Sequence, residues 1–122
     1  MPGENNLLII QEITHEDGSI SATIAIDQNS AILKGHFPGH PVVPGAFMLQ
    51  IVKEVLEQTL NQSIRLKKAD NLKFLSMVDP QVTTEVQLHM SYRAEESNII
   101  VNAKLSSSQT LHFKFQGAFI VE

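Results

Sequence analysis

Apolar positions change period twice along the chain. Residues 7–13 (Leu-Leu-Ile-Ile-Gln-Glu-Ile) form a nearly continuous apolar run, and residues 20–26 alternate apolar with small polar side chains. A continuous run reads as a buried strand and alternation at a period of two as a half-buried one. Between them, His15-Glu16-Asp17-Gly18 ends in Asp-Gly, so the two runs predict a hairpin. Asp27-Gln28-Asn29-Ser30 breaks the alternation, with Ser30 placed to cap a short helical turn. From Gly45 to about Asn61 the period becomes helical. Phe47, Met48, Ile51, Val52, Val55, Leu56 and Leu60 recur at three and four, while Gln50, Lys53, Glu54, Glu57 and Asn61 take the other face. Residues 65–75 read as a strand that is basic and then apolar, and the period of two returns over residues 83–92, 99–105 and 111–121, with turns at 94–98 and 106–109. Strict alternation predicts antiparallel strands with one buried face. By the same alternation His89 and His112 stand opposite the apolar residues of their strands, facing solvent or a subunit contact. The order β-β-α-β-β-β-β predicts an α+β domain.

Composition narrows the function. A chain of 122 residues, 43% hydrophobic and 18% charged, is expected to form one soluble domain over residues 1–122. No apolar run reaches the roughly 18 residues of a membrane span. The first six residues lack a basic stretch, so no secretory signal is expected and the protein is read as cytoplasmic. The absence of cysteine excludes disulfides, thiolate metal sites and a cysteine nucleophile. A net charge of −4 argues against a nucleic-acid binder held by phosphate attraction.

The densest chemistry lies in residues 35–50, Gly-His-Phe-Pro-Gly-His-Pro-Val-Val-Pro-Gly-Ala-Phe-Met-Leu-Gln. Prolines fix φ and remove donors, and glycines permit tight turns and close approach. Gly45 opens the helix, so its amide lacks an intrahelical acceptor and suits an oxygen gaining negative charge. His36 supplies a group that titrates near neutrality. Metal chemistry is not expected: His36 and His40 are four apart, but Pro38 and Gly39 between them preclude helical ligand geometry. No Gly-x-Ser-x-Gly elbow supports a serine hydrolase. His15 is assigned no role, and His40 is expected to hydrogen-bond within its loop.

His-Phe-Pro-Gly-His-Pro-x-x-Pro-Gly before an apolar helix resembles the β-hydroxyacyl-(acyl-carrier-protein) dehydratases of the FabZ/FabA group. Asn71-Leu72-Lys73-Phe74-Leu75 and Val78-Asp79-Pro80 add weaker matches. The resemblance implies a hot-dog fold, a long central helix wrapped by a curved antiparallel sheet of five to six strands. It implies dehydration of a (3R)-3-hydroxyacyl-acyl-carrier-protein to the trans-2-enoyl product without a cofactor, in fatty-acid synthesis or a specialised lipid or polyene pathway. It makes His36 the base and the Gly45 amide the oxyanion donor, with Phe37, Val43, Pro44, Phe47 and Phe74 lining the acyl site. The family's acid is a helix carboxylate from the other subunit, fourteen positions after the histidine. Here 50 − 36 = 14 falls on Gln50, which cannot donate that proton, and Glu54 follows one turn later. The amide and carboxylate look exchanged, so Glu54 is expected to act through a water held by Gln50.

Arg65, Lys67, Lys68 and Lys73 follow the helix, and 65, 67 and 73 share a face if the strand is regular. They suggest a dock for acyl carrier protein; lysines guarding a sheet edge are the plainer reading. A homodimer or an assembly of dimers is expected. The alternatives are a non-catalytic half-site subunit in a heterodimer and an acyl-thioesterase of the same fold.

Overall fold

A computed structural model describes residues 7–35 and 42–122. The elements are β1 (Leu8–Glu16), β2 (Ser19–Ile26), α1 (Ala31–Gly35), α2 (Gly45–Leu60), β3 (Ile64–Phe74), β4 (Glu85–Glu95), β5 (Asn98–Ser107) and β6 (Thr110–Val121). The six strands form one antiparallel sheet in the order β1-β2-β4-β5-β6-β3. One long helix against such a sheet is the hot-dog arrangement that the resemblance implies.

Cross-strand register explains the core. Ala22, Leu88, Leu105, Phe113 and Phe74 stand opposite one another in turn across the inner face. Met48, Ile51, Val52, Val55 and Leu56 of α2 are buried in the same apolar cluster. α2 starts after Pro44, whose extended backbone makes it the N-cap without a side-chain hydrogen bond, and ends at Asn61 in the left-handed region. Ser30 caps α1 as expected, its Oγ accepting from the Ile32 amide at 3.2 Å.

Several expectations change. β1 is an edge strand, so beyond Leu7 and Leu8 it is half-buried or exposed rather than buried. Its pairing runs on to Glu16, because main-chain hydrogen bonds need no apolar side chains and Gly18, at φ 79°, closes the hairpin tightly. Likewise β4 and β5 extend until Glu96, at positive φ, makes the turn.

β3 is not regular. Its pairing with β6 slips between Leu66 and Lys68 and again between Ala69 and Asn71. Each slip adds a residue and reverses the alternation. Arg65, Lys68 and Lys73 therefore share the outer face, opposite Ile120, Ala118 and Lys114, whereas Lys67 sits in the first bulge. Gly117 permits the close approach there: a Cβ on it would lie 2.3 Å from the Lys68 carbonyl oxygen.

His112 is the other correction. It is only 3% exposed, not solvent-facing. Its Nε2 lies 2.5 Å from Ser107 Oγ and its Nδ1 3.1 Å from the Ser76 carbonyl. The register slip at Leu105/Ser106 opens this corner, and the chain after β3 folds over it, the Leu75 amide donating to the His112 carbonyl at 2.8 Å. His89 is exposed, its Nδ1 3.1 Å from Ser21 Oγ. His15 is exposed too and meets the Tyr92 hydroxyl at 2.5 Å.

Candidate active site

The first turn of α2 is brought against the end of β3 by two constraints. The Val43 amide donates to the Val78 carbonyl at 3.0 Å, tying the segment before the helix to the one after β3. The Phe74 ring then rests on Gly45, where an added Cβ would fall 2.6 Å from Phe74 Cε1. A glycine is needed here for the ring to approach the helix mouth. Phe74 also packs on Phe113, with centroids 5.3 Å apart, yet remains 54% exposed.

Between these elements lies a cleft of about 410 Å³, lined by Val42, Val43, Pro44, Gly45, Met48 and residues 74–77. Its wall is mainly apolar, and one end is the first turn of α2. Gly45 is the first residue of α2, so its amide has no acceptor within the helix, and the helix carries no acidic residue in that turn. An apolar channel that meets the positive end of a helix suits an acyl chain ending in a polarised carbonyl.

Val43, Pro44, Gly45 and Phe74 thus converge on the cleft. Phe47 does not line it; it is half-buried and packs on the core from another side of α2. His36 and Phe37 lie outside the described residues, as does His40. Gln50 and Glu54 are half-buried, one turn apart. At about 100° per residue they project some 150–170° away from the side of α2 that Gly45 and Met48 present to the cleft. Within one chain neither faces that cleft. Arg65, Lys67, Lys68 and Lys73 are all exposed. Lys67 donates to Asn98 Oδ1 at 3.0 Å, and Lys68 pairs with Asp70 at 3.0 Å.

Met48, Leu75, Ser76 and Met77 also belong to the cleft, though the sequence assigned none of them to the site. Met77 offered a signal, as a large apolar residue between a strand and an Asp-Pro turn; it is 75% exposed. Ser76 carried none, because its place depends on the distant ring of His112.

Comparisons with known proteins bear on the family and the fold. The ApeI-like family model, described as ApeI dehydratase, matches residues 12–117. The 3-hydroxyacyl-[acyl-carrier-protein] dehydratase FabZ of Latilactobacillus sakei is 30% identical over 90 residues, covering 67% of this chain and 64% of the relative. FabZ of Wolbachia pipientis wMel is also 30% identical, over 95 residues, 69% of this chain and 64% of the relative. The chain thus spans just under two thirds of the length of these relatives. Among solved structures, the dehydratase heterocomplex ApeI:P from Xenorhabdus doucetiae superposes with a TM-score of 0.74 at 14% identity, covering 93% of this chain and 97% of that one. The conserved protein PA5202 from Pseudomonas aeruginosa gives 0.68 at 16% identity, covering 94% and 88%. These superpositions speak for the shared fold. Among the described residues, no helix is long and apolar enough to cross a membrane. By its match over most of its length, the chain belongs to the ApeI-like dehydratase family.

Proposed function

We propose that this chain, as one domain over residues 1–122, is a cytoplasmic hydro-lyase. It would remove water from a (3R)-3-hydroxyacyl thioester on acyl carrier protein, in fatty-acid synthesis or a specialised lipid or polyene pathway. The observation that carries the reading is the apolar cleft ending on the Gly45 amide. The thioester carbonyl accepts from that amide, which stabilises the enolate-like charge. His36 takes the proton α to the carbonyl. The bond from the β-carbon to the hydroxyl breaks, and the hydroxyl leaves as water with a proton from Glu54 relayed by a water on Gln50. Val43, Pro44 and Phe74 line the acyl path, to which the resemblance also assigns Phe37.

A second subunit supplies the acid. Gln50 and Glu54 point away from their own chain's cleft, so they serve the cleft of a neighbour. β3 is an edge strand, and Leu66, Leu72, Phe74, Leu75 and Met77 are exposed on it and just after it. Such an uncovered apolar edge favours pairing with a second copy. A dimer, or an assembly of dimers, is therefore the working unit. A heterodimer with a second dehydratase-like chain is the other arrangement, favoured by Gln50 and by the heterocomplex among the structural neighbours. Arg65, Lys67, Lys68 and Lys73 form the basic margin on which the carrier protein docks.

Glu54→Gln tests the acid assignment. Turnover should fall about 100-fold or more while the melting temperature holds. Activity surviving that change would remove Glu54 from the mechanism.

A further inference from the structure

A buried histidine stands behind one wall of the cleft. β3 ends at Phe74, so Leu75, Ser76 and Met77, which continue that wall, lie past the regular strand pairing. Main-chain bonds pin both ends of the segment. The Leu75 amide donates to the His112 carbonyl at 2.8 Å, and the Val78 carbonyl accepts from the Val43 amide at 3.0 Å. Between these points the Ser76 carbonyl lies 3.1 Å from His112 Nδ1. A carbonyl oxygen only accepts, so Nδ1 carries the proton. In the neutral ring Nε2 is then the acceptor, and Ser107 Oγ, 2.5 Å away, donates to it. The ring is 3% exposed, and burying an imidazole is costly unless its nitrogens are bonded. Ser107 thus selects the tautomer, and the tautomer holds Ser76. Neither His112 nor Ser107 lines the cleft, whereas Ser76 does.

We propose that His112 is a positioning residue for the acyl site: by holding the Ser76 carbonyl it keeps the 75–77 wall in place, and so sets how tightly the cleft grips a long acyl chain. Phe74, still within β3, covers Gly45 on its own. A short chain is therefore held at the helix mouth without residues 75–77. A longer chain gains grip with each methylene laid against Leu75 and Met77, and loses it when that wall yields. The acyl ligand rests on the dehydratase reading; the strut from His112 to Ser76 does not.

The test uses the full-length chain and two 3-hydroxyacyl-pantetheine thioesters, of four and ten carbons. Asparagine carries its amide nitrogen where histidine carries Nδ1, and glutamine carries it near the place of Nε2. His112→Gln should raise KM for the ten-carbon thioester about fivefold, with kcat and the four-carbon KM within about twofold. His112→Asn should restore the ten-carbon KM to within about twofold of wild type. Ser107→Ala should raise it about threefold, and serves if the glutamine chain does not fold. Amide exchange across residues 75–78, read by mass spectrometry without substrate, should quicken about tenfold in His112→Gln and hold near wild type in His112→Asn. A KM change equal for both chain lengths, no rescue by asparagine, or unchanged exchange in His112→Gln would each overturn the proposal. Wild type that turns over neither thioester sinks the dehydratase reading, and the exchange comparison still decides the strut. Wild-type turnover that every variant matches sinks the strut and leaves dehydration standing.

Discussion

β5 and β3 both pair with β6, from opposite sides, yet they differ in nearly every respect. β5 alternates without a break: Ile99, Val101, Ala103 and Leu105 are buried, and Asn102 and Lys104 are exposed. β3 buries only Ile64, and its register slips twice. β5 has a strand on each side, so the core and both neighbours dictate its side chains. β3 has one neighbour and a free edge, so Leu66, Leu72 and Phe74 stay partly exposed. The interior of the sheet holds the fold. The edge supplies the wall of the cleft and the surface that a second subunit would cover.

The contrast breaks most severely at Gly117. In Gly117→Ala the new Cβ would meet the Lys68 carbonyl at 2.3 Å and Phe115 Cζ at 2.6 Å. A backbone carbonyl in a paired strand cannot swing aside, so β3 must separate from β6. The expected loss is about 3 kcal/mol or more, read as a drop in the urea midpoint. A loss within about 0.5 kcal/mol would show that β3 does not approach β6 so closely.

A truncation pair sharpens the same contrast. Leu88 is fully buried, so Leu88→Ala should cost about 3 kcal/mol in urea unfolding. Leu72 is 40% exposed on β3, so Leu72→Ala should cost less than about 1 kcal/mol in dilute solution. If a second copy covers β3, the Leu72→Ala cost will rise with protein concentration. A concentration-independent cost would count against that interface.

How much could be read from the sequence follows the same division. The strands, the helix and their order were legible because Val86, Leu88 and Met90, or Val101, Ala103 and Leu105, repeat where one core face imposes the period. The helix start was legible at Pro44-Gly45, since both residues act through their own backbone. Lys67 was misplaced because a bulge depends on the partner strand: only Gly117, fifty residues on, lets the Lys68 carbonyl approach. His112 was misplaced for a similar reason, as Ser107 and Ser76 bury it from two separate segments. The side of α2 on which Gln50 and Glu54 stand was legible from the helical period, but its relation to the cleft required Met48 and Phe74 in place.

The most direct measurement is product identification after a (3R)-3-hydroxyacyl-pantetheine thioester is incubated with the protein. Mass spectrometry should show loss of one water to the trans-2-enoyl thioester, with no free acid. Release of free acid and thiol, or substrate recovered unchanged, would contradict dehydration at the mouth of α2.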